Sequence, residues 1–371
     1  MAQSLVQLAG HLLVQCRPTQ VAAAAEVASA HGGGLVITGP SALLSARNVL
    51  EHQGFTGPVL CDADRYSGRR RVGAGRGISP GWFKRQRDLG LVPLSDSGYL
   101  AARNLLGLRS ILRGTARESS TVIAMLPIAA RWFATPAVCD ALAHEIAAAG
   151  VPVAVAVERA GDPFAARYVL RGFLRLLRRV NVPVLLLRSD VSALGALCHG
   201  AHAAAIGTTS ALRHIYPIQP PGGGYRPSGI ATFLSPLLSY HNVDTIERIV
   251  KGTPEHEHLW PCLCPTCDGR VPVLDSAEDA FRHALHAQLM LRAELFRAQT
   301  RQALVSTWHE HCSHALSLHD DVTRFVPRHR PPGGLRSWLN ITEDPMAAHR
   351  TVPGQPRGHE ARMSPAHGDR R

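Results

Sequence analysis

The sequence predicts an α/β protein built on a (β/α)8 barrel, and three observations carry that expectation. Seven short apolar runs, at 35–39, 58–62, 91–96, 122–127, 151–158, 182–188 and 203–207, have the near-continuous hydrophobicity of strands buried on both faces. Helical stretches lie between most of them, and a repeating β–α order demands a parallel sheet. Seven strands, with 233–240 as the eighth, exceed the usual count of an open doubly wound sheet, and no G-x-G-x-x-G follows the first run. A barrel of the TIM type satisfies all three.

In chain order, Leu35-Val36-Ile37-Thr38-Gly39 ends at a glycine and Pro58-Val59-Leu60-Cys61-Asp62 at an aspartate. The run 91–96 ends at Asp96, and 122–127 leads to a helix over 135–149 with Thr135 as N-cap and Pro136 at the first helical position. A second helix over 164–179 joins 151–158 to 182–188, and Ala203-Ala204-Ala205-Ile206-Gly207 follows. Pro220-Pro221-Gly222-Gly223-Gly224 reads as a flexible connector. The barrel is therefore expected over 1–240, a zinc-binding module with helices over 241–325, and a mostly disordered basic tail over 326–371, where Pro, Gly, Arg and His replace apolar periodicity.

In a barrel the strand ends share one rim, where active sites are built. Asp62, Asp64, Asp96, Glu158 and Asp190 stand at such ends, so the four aspartates are catalytic candidates. Ser97, Gly98 and Glu158 are substrate-binding candidates. So are Gly207, Thr208 and Thr209, because a glycine lets the backbone approach, the hydroxyls donate, and a helix from Ser210 would offer its N-terminus to a phosphate. Each aspartate has a plainer reading as the N-cap of the next helix, and for Asp190 the two readings are evenly matched.

Cys262, Cys264 and Cys267 follow the pattern C-x-C-x-x-C in a Pro- and Gly-rich segment. Thiolates so close in sequence can converge on one soft ion, and a helical imidazole can close a tetrahedron. Ser276-Ala277-Glu278-Asp279 opens a helix that carries His283 and His286 one turn apart. Either can be the fourth ligand; His286 is preferred and zinc is the expected ion. Four protein ligands leave no open position for water, so such a site holds structure. The remaining cysteines, Cys16, Cys61, Cys139, Cys198 and Cys312, read as free thiols.

The chain has 371 residues, of which 45% are hydrophobic, and a formal net charge of +12, nearly all from arginine. Arginine's planar fork suits oxyanions, so nucleic acid is the leading partner class, although an arginine-rich composition alone gives the same charge. Eight basic residues between Arg65 and Arg87 alternate with Tyr66, Trp82 and Phe83, a mixture suited to phosphate contact and base stacking. No apolar run reaches membrane-spanning length and the N-terminus lacks the order of a signal peptide, so no membrane association and a cytoplasmic location are expected.

Together the barrel, the late C-x-C-x-x-C…H module and the basic surface resemble the tRNA-guanine transglycosylase superfamily, including its relatives that insert 7-deazaguanine bases into DNA. The resemblance spans roughly 33–300. Leu94-Ser95-Asp96-Ser97-Gly98-Tyr99 is similar to the family's D-S-G-G-F stretch, and Arg188-Ser189-Asp190-Val191 through Gly200-Ala201 resembles a late strand–helix segment. The resemblance implies zinc on Cys262, Cys264, Cys267 and His286, exchange of a guanine in tRNA or DNA for a 7-deazapurine, and Asp96 as the aspartate that handles the base and its protons. It also implies a homodimer or heterodimer formed through the zinc module. The chain departs from the family at the nucleophile, since Ala203–Gly207 has no carboxylate, and at the glycine-rich substrate strand, here Val157-Glu158-Arg159-Ala160-Gly161. Asp62, Asp64, Asp96 and Asp190 remain to supply the nucleophile. Two other readings stand beside base exchange: a non-catalytic nucleic-acid-binding or dimerising subunit of the same family, and a barrel enzyme acting on a phosphorylated small molecule.

Overall fold

A computed structural model describes residues 3–119, 121–218, 229–327 and 329–341. The connector at 220–224 and most of the tail lie outside the described residues. The elements run β1 (His11–Cys16), α1 (Val21–Ala30), β2 (Gly34–Thr38), α2 (Ala42–Glu51), β3 (Val59–Asp62), α3 (Pro80–Asp88), α4 (Leu105–Glu118), β4 (Ala124–Ala129), α5 (Pro136–Ala149), β5 (Val153–Glu158), α6 (Arg167–Arg179), β6 (Val184–Ser189), α7 (Ser192–Cys198) and β7 (Ala203–Gly207). They continue with β8 (Ala231–Leu234), β9 (Ser239–Asn242), α8 (Val243–Gly252), α9 (Ala277–Leu295), α10 (Arg301–Phe325) and α11 (Gly333–Leu339).

The main sheet is parallel and seven-stranded, in the order β3-β2-β1-β7-β6-β5-β4. From β1 the strand numbers rise on one side and fall from seven on the other, which is the cyclic order of a barrel cut between β3 and β4. An open doubly wound sheet would place β1 beside β2 and an early strand. The first and last barrel strands instead pair directly, with Leu13 opposite Ala205. The fold is an α/β barrel of the TIM type.

Residues 93–100 occupy the gap between β4 and β3. The Ile123 N–H donates to the Pro93 carbonyl at 2.8 Å, Ser95 N–H to Ile123 at 2.9 Å, and Leu100 N–H to Pro127 at 2.8 Å. On their other side Tyr99 N–H donates to Val72 at 2.6 Å and Ala74 N–H to Tyr99 at 2.9 Å. Pro93 lacks an N–H and the chain kinks at 96–99, so this stave is bridged to β4 at Leu94 and Leu100 without a continuous ladder.

Two strand expectations need correction. The segment 233–240 is not the eighth barrel strand. Its ends fall in β8 and β9, an antiparallel hairpin outside the barrel, because the chain reverses through Ser235–Leu237 and Leu238, whose φ is 48°. The strand that sequence reading overlooked is β1, which sits between β2 and β7. His11 and Gln15 interrupt its apolar pattern, yet Gln15 is fully buried and hydrogen-bonded.

Local chemistry accounts for the helix starts. Thr135 Oγ1 accepts the Val138 N–H at 3.4 Å, and α5 stops at Gly150, whose φ of 66° suits glycine. Ser276 Oγ accepts the Asp279 N–H at 2.9 Å at the start of α9. The helices α8 and α10, with β8 and the turn after it, enclose a second small core that includes Leu234, Leu237, Ile246, Ile249, Trp260, Leu318 and Val322. Ordered chain also extends past 326: Trp338 of α11 is fully buried against Trp308 and Phe164, their ring centroids 5.8 and 6.0 Å away. No helix among the described residues is long and apolar enough to cross a membrane.

Candidate metal centre and barrel rim

The cysteine segment folds into a knuckle. The Cys262 N–H donates to Arg270 at 3.0 Å, the Gly269 N–H to Cys262 at 3.0 Å and the Cys267 N–H to Cys264 at 3.1 Å. The turn needs left-handed backbone at Asp268 (φ 49°) and Gly269 (φ 78°), which Asp and Gly tolerate better than most residues. The three sulfurs and one imidazole nitrogen, that of His283, lie within 4.8 Å of one another. Four ligands about 2.0–2.3 Å from a central ion have edges shorter than that, so this set can hold a metal ion.

The fourth member corrects the sequence expectation. His283 Nδ1 is 3.3 Å from Cys264 Sγ and 3.1 Å from Cys267 Sγ. Its Nε2 lies 2.8 Å from the Phe233 carbonyl, so Nε2–H donates there and the Nδ1 lone pair faces the sulfurs. His286, one turn on, points at the end of α1, where its Nδ1 is 2.8 Å from His31 Nε2. Three residues advance a helix by roughly 300° rather than a full turn, so the two side chains diverge by about 60°. Only the packing of α9 between β8 and α1 decides which one meets the knuckle.

At the opposite end of the sheet from the strand starts, the rim carboxylates converge on arginines. Arg188, at the end of β6, is buried with its side chain 1% exposed; it donates to Asp64 and its Nε lies 3.8 Å from Asp62 Oδ2. Arg17 donates to Asp64 at 2.7 Å. Asp62 also accepts from the Tyr66 hydroxyl at 2.6 Å and from Gln15 Nε2 at 3.2 Å. Asp64 and Arg188 both adopt left-handed backbone, φ 56° and 50°, and the β6–β7 register shifts beside Arg188. Such strain is about 1–3 kcal/mol per residue and is held here by Gln15 Oε1, which accepts the Arg188 N–H at 2.7 Å.

Burial pushes the Asp62 carboxyl above its usual range, opposed by the charge of Arg188. For Asp64 burial acts in the same upward direction, but Arg188, Ser67 and Arg17 outweigh it and hold the group below the usual range.

Asp96 lies on the same rim, 6% exposed; Arg65 donates to its Oδ2 at 2.6 Å and the Ser79 N–H to its Oδ1 at 2.7 Å. Glu158, at the end of β5, accepts from Arg71 and from the Tyr99 hydroxyl, and the Arg71 guanidinium lies 3.6 Å from the Tyr99 ring centroid. Ser97 Oγ is 2.7 Å from Ser95 Oγ, and a Cβ on Gly98 would collide with the Gly73 backbone. Gly98 thus lets the loop after β3, rather than a free ligand, lie close. Asp190 Oδ1 accepts the Ser192 N–H at 2.9 Å, the capping geometry weighed from sequence. After β7, Thr208 Oγ1 donates to Gln20 at 3.0 Å, and the helix expected from Ser210 is a single 3-10 turn, Ser210–Leu212. A Cβ at Gly207 would meet the Leu212 backbone, so this turn is packed on itself.

The basic cluster after β3 also differs from expectation. Tyr66, Trp82 and Phe83 are buried, so they pack the core instead of offering stacking faces. Arg65, Arg71 and Arg87 are ion-paired to Asp96, Glu158 and Glu118, while Arg69, Arg70 and Arg76 remain exposed.

Sequence reading missed Gln15, Arg17, Arg188 and Asp162. The visible signal for Arg188 was a lone arginine ending an apolar strand. Asp162 Oδ1 accepts the Phe164 N–H at 2.8 Å, while its buried Oδ2 has no partner among the described residues. Burial, then the charge of Asp190, push its carboxyl up to about 7. A carboxyl raised in the folded state contributes fully below its unfolded value near 4, and that contribution is lost as pH rises toward 7. Asp162→Asn is therefore expected to stabilise the protein by roughly 2–4 kcal/mol at pH 8 and to change little at pH 4. Denaturant melts at the two pH values check this; equal effects at both would exclude a neutral Asp162.

No family model and no curated protein matches the chain. Among solved structures it is similar to the YdjI aldolase of Escherichia coli K12 (TM-score 0.34, 11% identity, 77% of this chain and 91% of that one). Triosephosphate isomerase of Bartonella henselae gives 0.31 and 11%, over 53% and 92%. The carboxyl transferase domain of Rhizobium etli pyruvate carboxylase gives 0.35 and 12%, over 82% and 66%.

Proposed function

We propose that the chain is a transglycosylase-like enzyme that exchanges a guanine base of tRNA or DNA for a 7-deazapurine, with zinc in the cysteine knuckle. The observation that carries this reading is the position of Asp96: it lies at the kink of the irregular eighth stave on the carboxyl rim, in the D-S-G segment, beside the Arg65 guanidinium. A carboxylate there can take up or return a purine's proton while a second carboxylate bonds to the sugar C1′ as the C1′–N9 bond breaks. The incoming base then displaces that carboxylate. Asp190 suits the second role best, since Asp62, Asp64 and Asp96 each lie within 4 Å of an arginine and, among the described residues, Asp190 does not. Zinc bound by Cys262, Cys264, Cys267 and His283 would brace the knuckle against α9 and take no part in the reaction.

The non-catalytic subunit is the second reading. It is favoured by the arginine pairing of Asp62, Asp64, Asp96 and Glu158 and by the carboxylate-free end of β7. Incubation with labelled guanine and 7-deazaguanine, each with tRNA and with DNA, separates the two. Incorporation that falls at least about 100-fold in Asp96→Asn and in Asp190→Asn supports exchange. No incorporation by the wild-type protein, with nucleic acid still bound, selects the subunit.

A further inference from the structure

We propose that the groove between α5 and α6 binds the phosphate backbone of the nucleic acid; this rests on the reading above that nucleic acid is the partner. The sequence of α6 holds five arginines and no acidic residue. Arg167, Arg171, Arg175 and Arg178 recur at i, i+4, i+8 and i+11, which places them on one stripe about 16 Å long. Behind them Leu170, Phe173, Leu174 and Leu177 are buried, so the helix is fixed and its cations are presented outward.

An arginine stripe is ordinarily just a solvated face. Here it lines a cavity of about 580 Å³ whose other wall is the start of α5 at Thr135 and Pro136. That wall carries the positive end of a 14-residue helix with no acidic residue in its first turn. Counter-charge is scarce. Asp140 accepts from Arg175 at 2.6 and 2.7 Å and lies 3.7 Å from Arg179, whereas among the described residues Arg167 and Arg171 have no carboxylate within 4 Å. Tyr168, 44% exposed, lines the same cavity and offers a ring face to an unpaired base. A stripe of this length exceeds one phosphate, and a polyphosphate strand matches it. The groove also begins at the rim, because α5 and α6 start where β4 and β5 end.

The test is fluorescence anisotropy of labelled tRNA and single-stranded DNA across a salt series, with Arg167→Glu/Arg171→Glu compared with Arg69→Glu/Arg70→Glu. Loss of two phosphate contacts is expected to weaken binding at least about tenfold at moderate salt and to flatten the salt slope by roughly 1–2. The control pair should lose less. Both altered arginines are exposed, and unchanged metal content and circular dichroism establish that the variant folds. Equal binding by wild type and Arg167→Glu/Arg171→Glu overturns the proposal, and so does absence of wild-type binding at low salt. A third contrary result is unchanged binding together with lower melting temperatures in this variant and in Glu343→Gln/Asp344→Asn, which would assign the groove to the chain's own segment after Ile341. Groove-dependent binding without base exchange keeps the groove and overturns the transglycosylase reading. Base exchange that is insensitive to Arg167 and Arg171 does the reverse.

Discussion

Cys264→Ser and His283→Ala are each expected to release the metal and to lower the melting temperature by about 5–10 °C, whereas His286→Ala keeps one ion per chain. The difference follows from geometry: His283 Nδ1 sits 3.1–3.3 Å from two sulfurs, and His286 is engaged with His31, the residue that follows α1. Structural zinc binding is worth roughly 10–16 kcal/mol in small zinc peptides, so its loss should loosen the second core around Trp260 even where the barrel survives. Metal analysis of the purified variants, with melting curves in the presence of a chelator, gives the result directly. Metal retained in His283→Ala and lost in His286→Ala would reverse the assignment.

Arg188→Met is expected to cost about 3–5 kcal/mol, because it leaves Asp62 and Asp64 buried at the rim with Arg17 as their remaining cation. The pH dependence has a definite sign. With Arg188 present, Asp64 is held below its usual range, so its contribution exists above the unfolded value near 4 and fades as pH falls through the folded one. Without Arg188 that depression is relieved and burial raises both carboxyls. The variant's deficit should therefore be largest near pH 8 and shrink toward pH 4. Replacing Asp62 and Asp64 by Asn in the Arg188→Met background should recover most of the stability, as urea unfolding would report. A deficit independent of pH would mean that the side chain acts through packing alone.

Much of the architecture was legible because it is written in local periodicity. Buried parallel strands need continuous apolar runs, and six of the seven barrel strands had them; β1 escaped because Gln15 and His11 break its run. Caps at Thr135 and Ser276 were readable from single residues, since a side-chain oxygen satisfies amides two or three positions away. The stave at 91–96 was legible as apolar, but Pro93 and the kink after it prevent a regular ladder.

The sequence by itself determined that this chain makes a β–α barrel, that three thiols meet in a knuckle, and that Asp62, Asp64, Asp96, Glu158 and Asp190 end up at one rim. Each of these follows from spacing of a few residues or from the strand–helix order. Only the tertiary structure decided which histidine reaches the sulfurs, since His283 and His286 share a helix and differ by about 60° of rotation that only packing fixes. It alone placed Arg17, Arg65, Arg71 and Arg188 on the carboxylates, because Arg188 meets Asp64 across 124 residues of chain. It also turned Tyr66, Trp82 and Phe83 inward, where removal of their apolar area from water outweighs any surface role a composition could suggest.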